Sequence, residues 1–146
     1  MNLPTYLIQL VESSEGLRLE PYQDCCGVWT QGYGTTGSRI KPGQAITPEQ
    51  AQEWLISDLE AIWQAITARS TIQLETYQTA ALADFAYNLG INALFKSTLW
   101  QLVQANQPIN ASLEFSKWVY AGKHIEPGLV IRRHKEALIF LGNLNN

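Results

Sequence analysis

The sequence predicts an α+β fold: one helix, a small antiparallel sheet, a long connecting helix and an all-helical lobe. Three observations predict it. Apolar residues recur at helical spacing near the N-terminus and again from residue 48 onward. Between those stretches a glycine-punctuated segment alternates as strands do. A length of 146 residues is enough to bury one core without staples.

The elements follow in order. Leu3, Leu7, Leu10 and Val11 share a helical face over 3–13, with Pro4 in a first-turn position where no amide donor is missed. That helix should fray at Ser13-Ser14-Glu15-Gly16. Leu17 and Leu19 alternate, and Val28-Trp29-Thr30 and Tyr33 are punctuated by Gly27, Gly32, Gly34 and Gly37, as in a bent hairpin or three-stranded sheet. Residues 38–46 are a loop. Thr47-Pro48-Glu49-Gln50 is a strong helix start, and Ala51, Leu55, Leu59, Ile62 and Ile66 continue one face to residue 68. Further helices are expected near 75–89, 97–106, 110–120 and 128–141. The expected organisation is a single domain: a small lobe over 13–47, the connecting helix over 48–68, and a helical lobe over 70–146 that the N-terminal helix joins.

Composition excludes several classes. A 46% hydrophobic content with five Trp, six Tyr and four Phe excludes disorder. No run approaches the roughly 20 apolar residues of a membrane span, so stable membrane insertion is not expected. The first dozen residues make a poor secretory signal, which points to the cytoplasm as the place of synthesis. A net charge of -3 excludes a generally basic nucleic-acid binder. Charge is unevenly placed, however. Within 117–135, Lys117, Lys123, Arg132, Arg133 and Lys135 face only Glu126, a local +4 that suits either an anionic polymer or a solvated helix face. Cys25 and Cys26 are adjacent, a poor geometry for a disulfide and too few ligands for zinc, so no metal and no cofactor are expected.

Three polar residues stand in the glycine-rich segment. Glu15 falls at the C-terminal end of the first helix, where the dipole disfavours a second negative charge; that suits a carboxyl that donates a proton. Asp24 begins a turn, where solvent keeps it ionised, and Thr30 offers a hydroxyl to a water. A proton donor, an ionised carboxylate and a held water are the parts needed to cleave a glycosidic bond. Each also has a plain structural reading, as an exposed helix end, a turn former and a β-branched strand residue respectively.

Resemblance shifts that balance. The segment Glu15 to Gly34, EGLRLEPYQDCCGVWTQGYG, resembles the signature of the phage-type lysozymes, the endolysins of glycoside hydrolase family 24, and Glu15, Asp24 and Thr30 meet its Glu–x8–Asp–x5–Thr spacing. FAYNLG (Phe85 to Gly90), STL (Ser97 to Leu99), WVYAG (Trp118 to Gly122) and PGLVIRR (Pro127 to Arg133) resemble the same family in the same order. The resemblance implies a lysozyme-like fold and a muramidase hydrolysing the β-1,4 bond between N-acetylmuramic acid and N-acetylglucosamine in peptidoglycan. It implies Glu15 as general acid, Asp24 stabilising charge on the sugar, and Thr30 positioning water. Tyr33, Thr35, Ser97, Arg132 and Arg133 are the expected substrate contacts, with one of the two arginines as counter-charge to Glu15. Structural readings stand beside these: a packed Tyr33, a helix-cap Ser97, surface arginines and a turn-bracing Asn88. Thr35 stands where many relatives carry histidine. The implied setting is host lysis by a monomer that reaches the wall through a separate pore-former. A glycan-binding protein without turnover and a DNA-binding helical protein are the rival classes; the intact three-residue set and the acidic charge argue against them.

Overall fold

Helix α1 (Thr5–Glu15) follows Pro4 and buries Leu7, Leu10 and Val11. The computed structural model describes residues 2–145, and in it α1 runs on through the serines where fraying is expected. Ser13 Oγ donates back to the Leu10 carbonyl at 3.2 Å, which satisfies the hydroxyl within the helix. The stop comes at Gly16, whose φ of 72° takes the chain out of the helical region.

The sheet comprises β1 (Arg18–Gln23), β2 (Trp29–Gly32) and β3 (Thr35–Thr36), antiparallel in that order. Arg18 lies opposite Gly32 and Tyr22 opposite Thr30, so the register slips within β1. Pro21, which has no amide to give a ladder, falls inside the slip. Gln31 is buried, and its Nε2 donates to the carbonyls of Leu19 at 2.7 Å and Gln44 at 2.8 Å. One side chain thus ties β2 to β1 and to the following loop.

Helix α2 (Pro48–Arg69) starts as the sequence predicts, with Thr47 Oγ1 accepting from the Gln50 amide at 3.1 Å. Its 22 residues extend about 33 Å. The Arg39 guanidinium reaches both oxygens of Asp58 at 2.9 Å and lies over the Trp54 ring, pinning the loop before α2 to its side.

The chain divides into two compact units, Met1–Glu60 and Ala61–Asn146, with the division falling inside α2. The second unit holds α3 (Thr76–Leu89), α4 (Ile91–Lys96), α5 (Thr98–Gln104), α6 (Pro108–Ser112), a 3-10 turn (Phe115–Lys117), the hairpin β4 (Tyr120–Ala121) and β5 (His124–Ile125), and α7 (Pro127–Phe140). Helix α3 is buried continuously from Thr79 to Ala86 and packs on α7. Phe85 meets Phe115 and Trp118 edge-on, with centroids 6.0 and 5.3 Å apart.

Two expectations need correction here. The helix expected over 110–120 ends at Ser112 and gives way to a 3-10 turn and a strand. Val119 and Tyr120 favour extended backbone, and Gly122 at φ 64° turns the chain so that Tyr120 pairs with Ile125. A short helix, α4, also precedes the one expected over 97–106; the latter spans Thr98–Gln104.

Candidate active site

Asp24 opens the turn between β1 and β2. Its amide donates to the Val28 carbonyl at 2.9 Å, and its Oδ1 accepts from the amides of Cys26 at 2.8 Å and Val28 at 2.9 Å. The carboxylate is exposed yet fixed, because the turn's own amides hold it. Thr30 follows in the central strand, 5% exposed, and its Oγ1 donates to the same Val28 carbonyl at 3.0 Å. Val28 therefore sets Asp24 and Thr30 relative to one another. With its proton committed to that carbonyl, the Thr30 hydroxyl offers lone pairs to any further partner.

Glu15 is the last residue of α1 and half-buried. The turn after β2 comes right up to it. A Cβ built on Gly34 would stand 2.8 Å from Glu15 Oε1 and 3.3 Å from its carboxyl carbon. Gly34 also has φ 80°, a conformation that side-chain-bearing residues rarely adopt. One turn earlier on α1, Glu12 hydrogen-bonds the Tyr33 phenol; burial first, and then that bond, push the phenol's pKa up. So Tyr33 and Gly34 hold two carboxyls on one face of α1. Thr35, next in the chain, is 2% exposed, and its Oγ1 is buried with no hydrogen-bond partner among the described residues. The structure thus places Glu15, Asp24, Thr30, Tyr33 and Thr35 in the first unit, all on α1 and the small sheet with its turns.

Beside Asp24, the exposed thiols of Cys25 and Cys26 lie 3.7 Å apart. The hydrogen bond to Cys25, followed by the charges of Cys25 and Asp24, raises the Cys26 thiol above its ordinary value.

The remaining expected contacts belong to the second unit. Ser97 is buried and caps α5, accepting from the Trp100 amide at 3.0 Å and donating to the Leu94 carbonyl at 2.6 Å. Arg132 grips Asp84 of α3 with two bonds, Nε to Oδ2 at 2.9 Å and Nη2 to Oδ1 at 2.8 Å. Arg133 Nη2 donates to Asn88 at 2.8 Å and Glu136 at 3.1 Å, and the guanidinium lies 5.2 Å from the Phe85 ring centroid. Two of the five cations in 117–135 are therefore buried against acidic side chains. The sequence reading missed Asp84 and Glu136, although an acid set in the small apolar run Ala80–Ala86 is itself a sign of a buried partner.

Protons in this cluster are unequally shared. Burial raises Asp84, but hydrogen bonds from Glu136 and Arg132 and the two guanidinium charges outweigh it and hold its pKa below the ordinary value. Glu136 is driven the other way, well up, by burial and by the Asp84 charge beside it. Burial also lowers Arg133. Of these two touching carboxyls, Asp84 is the one held toward the charged form and Glu136 the one held toward the protonated form.

The family model for phage lysozyme matches residues 12–136. The chain is 36% identical over 143 residues to an endolysin of Bacillus phage B103, covering 97% of this chain and 54% of that protein. It therefore spans about half the length of that relative. It is also 36% identical over 135 residues to an endolysin of Acyrthosiphon pisum secondary endosymbiont phage 1, covering 90% of this chain and 92% of that one. Among solved structures, the muramidase domain of SpmX from Asticaccaulis excentricus superposes with a TM-score of 0.89 at 29% identity, covering 96% of this chain and 97% of that one. On the family match across most of its length, supported by these relatives, the chain belongs to the phage lysozyme family.

Proposed function

We propose that the protein is a muramidase that hydrolyses the β-1,4 bond between N-acetylmuramic acid and N-acetylglucosamine in peptidoglycan, and so serves host-cell lysis. The observation that carries the reading is the hold of the hairpin turn on the acid: Gly34 meets the Glu15 carboxyl, and the same small sheet carries Asp24 and Thr30. Glu15 protonates the glycosidic oxygen as the bond to the anomeric carbon breaks. Asp24, fixed by two amides, stabilises the positive charge developing on the sugar and takes the proton of the attacking water. Thr30 accepts a hydrogen bond from that water through a free lone pair, which orients it. The outcome is inversion at the anomeric carbon. Tyr33 and Thr35, which flank Gly34 in the chain, are the proposed glycan contacts in this unit.

The wider setting is part of the same proposal: a monomer made in the host cytoplasm that acts on the wall once a separate pore-former opens the membrane. Among the described residues no helix is long and apolar enough to cross a membrane.

Purified peptidoglycan tests the chemistry. The native chain should solubilise it and release reducing-end muramic acid, while Glu15→Gln, unable to donate the proton, should be slower by about 100-fold or more. Equal rates for the two proteins would remove Glu15 from its role. An anhydro-muramic product would mean that the sugar's own hydroxyl attacks in place of water.

A further inference from the structure

The turn after β1 gathers three side chains of the types that ligate metals. Asp24, Cys25 and Cys26 are all exposed, and one ligand atom from each lies within 4.8 Å of the other two. The two sulfurs are 3.7 Å apart. Zinc–thiolate bonds of about 2.3 Å meeting at a tetrahedral angle set their sulfurs about 3.8 Å apart, so the thiols already stand at the spacing an ion requires. The carboxylate beside them is held in place. Both amides that fix it, from Cys26 and Val28, bond to Oδ1, which leaves Oδ2 without a hydrogen bond among the described residues. Ligand types agree with the geometry, since two thiolates and a carboxylate suit a thiophilic or borderline dication over magnesium or calcium.

We propose that Asp24, Cys25 and Cys26 form a binding site for a thiophilic divalent cation of the zinc and cadmium class, and that the bound ion inhibits the enzyme. Two metal–sulfur bonds and one metal–oxygen bond replace metal–water bonds of the hydrated ion, two thiol protons pass to solvent, and no electron is transferred. Water fills the fourth position. Inhibition follows because a carboxylate neutralised by a dication no longer stabilises a cationic sugar or accepts a proton from water; this half rests on the role assigned to Asp24 above. The sequence alone showed two adjacent cysteines without a histidine. The tight turn adds the carboxylate that makes a third ligand.

The test uses the full chain and two readouts. Cadmium titration should raise a thiolate-to-metal absorption band in the ultraviolet that saturates at one ion per chain. Saturating zinc should slow solubilisation of purified peptidoglycan by about 100-fold, the loss expected when a group active in proton transfer is removed, and EDTA should restore it. The Cys25→Ser/Cys26→Ser double variant should show no band, match the metal-free native rate and ignore zinc; Cys26→Ser alone serves if the double variant does not fold. Absence of the band in the native chain overturns the site. A band with lysis unchanged, or equal inhibition of the double variant, overturns the inhibitory role. If the metal-free native chain does not solubilise peptidoglycan, the muramidase reading fails while the absorption titration still decides binding.

Discussion

The Glu15 carboxyl and the Gly34 backbone stand so close that a single methyl group on Gly34 would fall 2.8 Å from Glu15 Oε1. Contacts at that distance do not occur between a carboxylate and a real Cβ, so Gly34→Ala must displace the acid or the turn. Misplacing a reacting group by about 1 Å can cost on the order of 100-fold in rate. We expect that loss of lysis, together with about 1 kcal/mol of destabilisation from forcing alanine to a positive φ. Kinetics and a thermal melt on the same preparation check both; native activity would show that Glu15 need not be where it is.

Thr35 gives the opposite kind of prediction. Its buried hydroxyl lacks a partner among the described residues, so Thr35→Val removes an unsatisfied group at nearly constant shape. The Tm should hold or rise, with a gain of up to about 1 kcal/mol. If the hydroxyl is a glycan contact, lysis should fall about tenfold through KM, the value of one hydrogen bond. A Tm lowered by several degrees would mean that the hydroxyl is bonded in solution.

The Arg132–Asp84 pair is buried on both sides, with side chains 6% and 0% exposed. Removing one partner strands a charge away from water. Asp84→Ala should therefore destabilise by about 3–5 kcal/mol, far beyond a surface pair. Asp58→Ala, which breaks the half-exposed pair with Arg39, should cost at most about 1 kcal/mol. Chemical denaturation of the two variants side by side makes the comparison.

Glu136 should make stability depend on pH. Its folded pKa lies above the ordinary value of 4.5, so the folded state keeps a proton that the unfolded state releases. The contribution is complete below 4.5 and declines as pH rises from there through the raised folded value. Asp84, held low, acts oppositely: its contribution is present above the ordinary value of 3.8 and is lost as pH falls through the folded one. Glutamine mimics the protonated acid, so Glu136→Gln should gain Tm relative to the native chain as pH is raised above 4.5. A Tm gap that instead grows in favour of the native chain would show Glu136 ionised beside Arg133.

Much of the first unit was legible because its cues are local. Thr47-Pro48 marks where α2 begins, Gly16 where α1 stops, and Glu15, Asp24 and Thr30 sit at fixed spacings within one short segment. What sequence did not show depends on distant partners. Asp84 and Glu136 are 52 positions apart and meet only because α3 packs on α7. The β4–β5 hairpin was hidden by a helical pattern that Ser112 ends and Gly122 redirects. The approach of Gly34 to Glu15 likewise needs the turn and the helix to be seen together.

The mutual dependence of Asp84, Asn88, Arg132 and Arg133 also bears on how this scaffold can be re-engineered. Helix α7 cannot be transplanted as a module, because Arg132 would arrive without Asp84 and Arg133 without Asn88, with only Glu136 travelling along. A chimera that exchanges α7 must carry α3 with it, and directed libraries that randomise either helix alone will be dominated by chains that do not accumulate in cells.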